Sequence, residues 1–533
     1  MESRPEKGGA SRTPGEGAGF LWLAILGFFF LGLILLLRHE MWQDEWQAWL
    51  IARESASLPE LFRNLRYEGH PGLWHLGLYL VSRVAFDPLG MQLLHLTVAT
   101  ASVYVFLRYS PFTRLQKILF ILGYFPFYEY AVISRNYGLG VFALFSFLAV
   151  FCRTRPRNYP LLGVILFFLC QTSVYGLMLA LVLGVILFWT AIRERTARTW
   201  GACAAFALFL LGVGLSVLQL VPPADSGFAL DWKFDLDLPH LARTLAAVWK
   251  SYVPLPALDY HFWGTNLIPD PRWQALLSVM LLAFGLLLFG RQPLPLFLYG
   301  VGTLGILAFT YIKYPGSLRH HGHLYLLFIA GLWLFLDSSF PGTEHESSVG
   351  RASAPAGLRS GHRGPLHYFS KLATALSDFC QAHLKLALTA LLAVHLAAGV
   401  WAASLDLLYP FSEAKEAAAL MRRQGLDRLP ILGDADDAAC SVAGYLGCRI
   451  YYAACRGPGS FVVWNRERKT ELKAEELLRQ ARELSRRQQT DVLLLLNYEL
   501  PPGEFPVIPL QKFTRSLVPV ENYHLYLMPM AKP

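Results

Sequence analysis

Six ionisable side chains, Asp44, Glu45, Glu54, Glu68, His70 and His75, crowd one aromatic-rich stretch, MWQDEWQAWLIARESASLPELFRNLRYEGHPGLWHL, from Met41 to Leu76. Two further polar groups stand among apolar runs: Arg135, Asn136 and Tyr137 in SRNYGL, then Lys313, Tyr314, Arg319, His320, His321 and His323. The chain is 54% hydrophobic and only 16% charged. Ionisable groups beside hydrocarbon are costly and mark substrate sites or relays. Acids facing an Arg/His set suit transfer of a group from an anionic lipid carrier. The acid takes a proton from an acceptor hydroxyl, and the cations hold the departing phosphate as its charge develops. Asp44 and Glu45 are the candidate catalytic acids, and Arg135, Lys313, Arg319, His320 and His321 the candidate phosphate-binding set. Glu68, His70, Asn136 and Tyr137 are the candidate substrate contacts.

Several of these residues also have a plain structural role open to them. Asp44 fits the cap of an interfacial helix. Glu45, one position on, points to a different helix face, so the two acids do not act as a geminal pair. Ser57-Leu58-Pro59-Glu60 fits a capping box. His70 before Pro71 shapes a turn as readily as it binds substrate, and Arg135 at a helix end has a headgroup phosphate as its second reading after a substrate phosphate. Adjacent histidines at a helix start rarely converge on one ion, so His320, His321 and His323 read better as a phosphate clamp with Arg319 than as a zinc site. A divalent-metal requirement stays open. Trp42, Trp46, Trp49 and Trp74 read as an interfacial belt first and a lipid-tail groove second.

A membrane scaffold must position these groups. Repeated apolar runs of roughly 17 to 22 residues, the length that crosses a bilayer, make the 533-residue chain an α-helical polytopic membrane protein. The net charge of +9 comes mostly from short Lys/Arg clusters between those runs, which speaks for topology control and against nucleic-acid binding. Residues 1–19, rich in Gly, Ser, Pro and charge, read as a disordered cytoplasmic tail. The run from Phe20 to Leu37 is long for a signal peptide and no small-residue cleavage site follows before Arg38, so it reads as a retained first helix. Residues 71–86 are apolar but short, and the positive-inside rule decides their fate. If they lie in the interface, the Arg108/Arg114/Lys117, Arg153/Arg155/Arg157 and Arg193/Arg195/Arg198 clusters and Arg291 all fall in the cytoplasm. If they cross, all fall outside.

In that register, spans are expected near 20–38, 89–107, 118–133, 137–152, 159–173, 174–192, 200–220, 273–289, 293–312, 322–337 and 386–409, about eleven crossings. The transmembrane catalytic module covers 20–337, with its first extracytoplasmic loop at 39–88. A cytoplasmic linker follows over 338–385. Residues 410–533 then read as a small extracytoplasmic α/β domain. Its helices are expected over Ser412–Gln424 and Thr470–Gln488, and its strands at Leu429–Leu432, Arg449–Tyr452, Phe461–Trp464 and Asp491–Leu496. The acids of GDADD fit a helix start better than a metal site. Cys152, Cys170 and Cys203 read as packing residues, while Cys440, Cys448 and Cys455 leave one disulfide open if their domain is extracytoplasmic.

Asp44-Glu45 directly after the first helix, EGHPGLWHL following the acidic helix, and the SRNYGL turn together resemble the GT-C glycosyltransferases. Within that superfamily they are most similar to bacterial relatives of protein O-mannosyltransferases and lipid A aminoarabinose transferases, over roughly residues 20–200. The resemblance implies a polyprenyl- or dolichyl-phosphate sugar donor, a catalytic acid at Asp44 with Glu45 beside it, inversion at the anomeric carbon, and a place in the bacterial inner membrane. The acceptor would be a glycan, a lipid or a protein. Two departures stand out. Gly72 replaces the second Pro of the HPPL-type segment, and SRNYGLGVF lacks the second acid found after this turn in some members. A transporter or flippase of a lipid-linked sugar is the alternative reading, but it calls for charges near the bilayer midplane and repeat symmetry. A catalytically dead scaffold with a sugar-binding tail is a third, for which Asp44 would be dispensable.

Overall fold

A computed structural model describes residues 17–227, 231–337, 365–469 and 472–530. The tail over 1–16 and most of the expected linker, 338–364, lie outside the described residues. In chain order the helices are α1 (Ala18–Arg38), α2 (Gln43–Glu54), α3 (Leu58–Asn64), α4 (Leu73–Ser82), α5 (Leu89–Tyr109) and α6 (Arg114–Ile121). A π-helical segment, Tyr124–Val132, comes next. It leads into α7 (Tyr137–Arg153), α8 (Tyr159–Cys170), α9 (Val174–Arg193), α10 (Trp200–Leu220), α11 (Leu238–Tyr252), α12 (Pro271–Phe289), α13 (Pro293–Ile312), α14 (Leu318–Leu336) and α15 (Pro365–Leu408). The protein is a largely helical, polytopic membrane protein with a small C-terminal α/β domain.

Among the described residues, α1, α5, α9, α10, α12, α13 and α15 are long and apolar enough to cross a bilayer alone. The other expected crossings fall on α7, α8, α14 and the α6–π pair. The α4 helix has 10 residues, about 15 Å at 1.5 Å per residue, against a hydrocarbon core of roughly 30 Å. It is too short to span, as the charge pattern requires. Arg114 stacks on Phe20 at the start of α1, Arg153 donates to the Tyr109 carbonyl (3.1 Å), Arg157 pairs with Glu194 (2.9 Å) and Arg291 with Asp378 (2.5 Å). These contacts tie the start of α1 to α6 and join the ends of α5, α7 and α9, while Arg291 is paired with α15.

The expected span 118–133 is not one helix. It breaks at Leu122-Gly123, where α15 comes so close that a Cβ on Gly123 would lie 3.1 Å from His395, and one on Gly399 3.1 Å from the Leu122 carbonyl. Past the break the backbone widens into the π-helical segment, every residue of which is buried. Insertions of this kind often mark functional sites. The last helix also starts earlier than expected, at Pro365, within the stretch read as linker.

In the C-terminal domain, α16 (Ala414–Gln424), α17 (Asp436–Leu446) and α18 (Ala474–Gln488) flank a six-stranded sheet. The strands are β1 (Ile431–Gly433), β2 (Ile450–Tyr452), β3 (Gly457–Gly459), β4 (Val492–Leu496), β5 (Ile508–Phe513) and β6 (Tyr523–Met528), in the order β3-β2-β1-β4-β6-β5. Strand β1 runs parallel to β2 and β4, and the remaining pairs are antiparallel. Residues 461–464 form no strand; β3 forms just before them, and β5 and β6 lie beyond the expected set. The acids of GDADD sit at the start of α17, where the Asp436 carboxylate is chelated by Arg468 (2.6 to 3.0 Å) and Asp434 accepts from the Tyr498 hydroxyl. All seven cysteines are free.

Alternation along β4 explains how this domain docks. Val492, Leu494 and Leu496 face α18, packing with Leu477, Leu478 and Ala481. Leu493 and Leu495 face the other way, into a core shared by α17 and α2 that holds Trp46, Trp49 and Trp74. The tryptophans expected as an interfacial belt are therefore core residues: Trp42, Trp46, Trp49 and Trp74 are at most 4% exposed. Trp46 lies edge-on to Tyr445 and against Gly444, where a Cβ would sit 2.2 Å from the indole. The first loop thus supplies one wall of the C-terminal domain's core, and burial of three indoles outweighs their interfacial preference.

Glu521 fastens the same junction. Its carboxyl accepts from the Gln43 backbone (2.8 Å) and from the hydroxyls of Ser412 (2.7 Å), Ser441 (3.3 Å) and Tyr523 (2.7 Å). Burial pushes its pKa up to about 7, against the hydrogen bonds, which lower it. The unfolded chain then ionises this group first, so its contribution to stability falls as pH rises from about 4.5 to about 7 and is flat above that. We expect Glu521→Gln to flatten this part of the stability–pH profile, measured by thermal unfolding of the detergent-solubilised protein between pH 4.5 and 8. A wild-type slope retained in the variant would assign the effect to other carboxyls.

Candidate active site

Asp44 lies in the first turn of α2, whose N-terminal dipole favours an acid. Two guanidinium groups from distant turns converge on one oxygen of its carboxylate: Arg135 Nη1 at 2.9 Å and Arg319 Nη2 at 2.7 Å from Oδ2. About a quarter of the Asp44 side chain stays exposed. Burial would raise its pKa, but Arg135 and Arg319 outweigh burial and hold the carboxyl below its ordinary value.

Each cation is aimed by its own turn. Arg135 follows Ser134, whose backbone N–H donates to Glu45 Oε1 at 2.7 Å. Arg319 sits in the first turn of α14, just after Gly316, whose positive φ of 69° lets the chain reverse beneath Tyr175. The Tyr130 hydroxyl donates to the Arg319 carbonyl (2.7 Å), and its guanidinium lies over the rings of Trp42 (5.1 Å) and Trp263 (5.6 Å).

Glu45 does different work from its neighbour. It is fully buried, and its Oε2 accepts from His39 Nε2 at 2.9 Å, while His39 Nδ1 donates to Asp406 of α15 at 2.8 Å. Burial disfavours the charged imidazole, but Asp406 and Glu45 outweigh it and raise the His39 pKa well above the ordinary value. The row Asp406–His39–Glu45–Ser134 N–H fixes the turn that carries Arg135. Glu45, expected beside Asp44 as a candidate catalytic acid, is thus engaged by His39 and the Ser134 N–H.

Glu68 and His70 line the same corner. Glu68 accepts from Gln47 Nε2 at 2.8 Å, and burial pushes its pKa up to about 7. Burial, reinforced by Arg135, pushes His70 down to about 3, and its Nδ1 is buried without a hydrogen-bond partner. Gly69, with φ at 63°, makes the turn that delivers it. A neutral imidazole and a carboxyl poised near neutrality therefore flank an ionised Asp44. Above them, Gln47 exchanges two 2.8 Å hydrogen bonds with the backbone of Val462, and the segment continuing to Trp464 and Asn465 bridges to Ser226 and Gly227.

Other expected residues are used locally. Asn136 donates to the Thr172 carbonyl (2.7 Å), and Tyr137 packs edge-on to His320. His320 Nδ1 caps the start of α14 by accepting from Ser317 N (2.8 Å), and His321 Nε2 donates to the Pro315 carbonyl (2.9 Å). Lys313 stands over the Trp232 ring at 4.8 Å. Among the described residues no group of three His, Cys, Asp or Glu side chains is arranged to hold a metal ion.

One acid escaped sequence reasoning. Glu129, on the π-helical segment, is 2% exposed and accepts from Tyr124 Oη (3.0 Å) and Trp263 Nε1 (3.3 Å). Trp263 also lies against Arg319, so this carboxylate stands behind the Arg319 guanidinium. The available signal was a lone carboxylate in a stretch taken for a span.

We expect Glu45→Ala to cost about 3–5 kcal/mol of stability, as removal of one partner from a buried ionic pair does. Denaturant titration of the solubilised protein measures this; a loss below about 1 kcal/mol would mean that the His39 row does not hold the turn.

No family model matches the sequence, and no curated protein does. Among solved structures the chain is similar to ArnT from Cupriavidus metallidurans. The crystal structure bound to undecaprenyl phosphate aligns at 13% identity and a TM-score of 0.46 over 97% of this chain and 100% of that one. The apo crystal structure aligns at 12% identity and a TM-score of 0.49 over 97% and 99%.

Proposed function

We propose that the protein is an integral-membrane glycosyltransferase. It moves a hexosyl or pentosyl group from a polyprenyl-phosphate donor to an acceptor hydroxyl on a glycan, lipid or protein at the extracytoplasmic face. The observation that carries this reading is the convergence of Arg135 and Arg319 on a single, partly exposed carboxylate oxygen of Asp44. Two guanidiniums held at hydrogen-bonding distance from one oxygen form a ready anion site, and Arg binds phosphate with the same fork geometry. An arriving donor phosphate competes with Asp44 for both cations. As they turn to the phosphate, Asp44 loses the charges that keep its pKa low and becomes a stronger base.

The acceptor hydroxyl then gives its proton to Asp44 as its oxygen bonds to the anomeric carbon. The bond from that carbon to the phosphate oxygen breaks, its electron pair leaving on the phosphate, where Arg135 and Arg319 stabilise it. One displacement inverts the anomeric carbon. His70, neutral by virtue of its burial, and Glu68 orient the acceptor. The reading includes a cytoplasmic N-terminus and a C-terminal domain on the donor side, in a bacterial inner membrane.

Asp44→Asn should lower transfer from a polyprenyl-phosphate sugar by about a hundredfold or more while donor binding persists. Arg319→Ala should weaken donor binding by roughly ten- to a hundredfold. Both are measured in proteoliposomes, with unfolding temperature as the folding check. Full activity of Asp44→Asn would sink the catalytic assignment, and unchanged donor affinity in Arg319→Ala would move the phosphate elsewhere.

A further inference from the structure

A second cavity, of about 590 Å³, opens where the last turn of α1, the end of α4 and the start of α5 meet the C-terminal domain. Neither Asp44, Arg135 nor Arg319 lines it. Its wall divides into two kinds. On the polar side stand Arg53 at the end of α2 and, from the domain, Lys415 and Arg422 on α16. Lys415 and Arg422 are seven residues apart, so two helical turns bring them to one face. Ala414, Ala417, Ala418 and Met421 bury an adjoining face of the same helix, about 100° round from the two cations. On the membrane side stand Leu36, Leu37 and Phe86.

The apolar wall is continuous with the lipid-facing surface of α1. Phe30, Ile34 and Leu37 recur at helical spacing and are each more than half exposed, and Phe86 is 80% exposed beside them. The cations are only partly engaged. Arg53 pairs with Glu54 at 3.2 Å, and Arg422 donates one N–H to the Tyr445 carbonyl. Each guanidinium carries five donors, so one such bond leaves most of the fork for a ligand. Among the described residues Asp87 is the single carboxylate on the lining, and its Oδ1 accepts from the Leu89 N–H at the start of α5.

We propose that this cavity binds the phosphate headgroup of an anionic membrane lipid, with Arg53, Lys415 and Arg422 around the phosphate and the acyl chains running down the α1 stripe past Leu37. A cluster of cations above an apolar strip at the end of a spanning helix matches the two halves of such a lipid. A soluble phosphate would satisfy the cations alone and leave the apolar strip without a partner. A lipid seated here touches α1, α2 and α16 together, and so clamps the C-terminal domain to the membrane helices. This binding does not depend on the glycosyl-transfer reading.

The test is retention of phosphatidylglycerol by the full chain after delipidation and return to phosphatidylcholine nanodiscs containing phosphatidylglycerol, read by native mass spectrometry. The wild type should retain phosphatidylglycerol in preference to phosphatidylcholine. Lys415→Gln combined with Arg422→Gln should weaken that retention at least about tenfold, the effect of losing charge-assisted contacts. Lys415→Arg, which keeps the charge, should retain the lipid, and unfolding temperature in lipid-free detergent checks that the double variant folds. Undiminished retention in a folded double variant overturns the proposal. So does displacement of the lipid by millimolar inorganic phosphate, which would make the site one for soluble phosphate.

Discussion

Much of this architecture hangs on one buried imidazole. His39 is the first residue past α1, and it joins Asp406 of α15 to Glu45 of α2 through two short hydrogen bonds. Glu45 in turn holds the Ser134 N–H, and with it the turn that presents Arg135. A charged row of this kind is expensive to bury and fails badly when one member is removed. Each member pairs with another part of the chain, so the end of the first helix, the first loop, the turn after the π-helical segment and the last helix are held in one arrangement.

Two adjacent acids are thereby given opposite tasks. Successive residues on a helix point about 100° apart, and here one step separates a fully buried carboxylate facing His39 from a partly exposed one facing Arg135 and Arg319. Each position suits its occupant. The buried acid needs fixed partners to offset desolvation, whereas the partly exposed one is held by the guanidiniums of Arg135 and Arg319. Glu129 completes the set from behind, balancing Arg319 through the ring of Trp263.

Most of the membrane scaffold was legible in the sequence because length, apolarity and the placement of arginines are local properties. That logic kept 71–86 out of the membrane, and α4 is too short to cross. The candidate acid Asp44 and the cations Arg135 and Arg319 were legible for the same reason, as polar residues standing out from apolar runs. What the sequence hid depends on contacts between distant segments. The tryptophans of α2 look like a membrane belt until α17 and β4 are laid against them. Glu129 is camouflaged by the aromatic residues that bury it, and the division of labour between Asp44 and Glu45 follows from His39 and Asp406, which lie 367 residues apart. The strands β5 and β6 escaped because β5 is mostly exposed and carries a register shift at Pro509, which blurs the alternation that marks a strand.

The shared core of α2 and the C-terminal domain has a consequence for how the chain is made. Gln47 and Val462, which hold each other by two hydrogen bonds, are separated by 415 residues. At about 5–20 residues per second, the ribosome takes roughly 20–80 s to deliver the second after the first. For that time the three indoles of the first loop have no permanent cover, and the membrane interface is the natural place for tryptophan to wait. The wall carrying Trp46, Trp49 and Trp74 is therefore completed only when α17 and β4, far along the chain, pack against it.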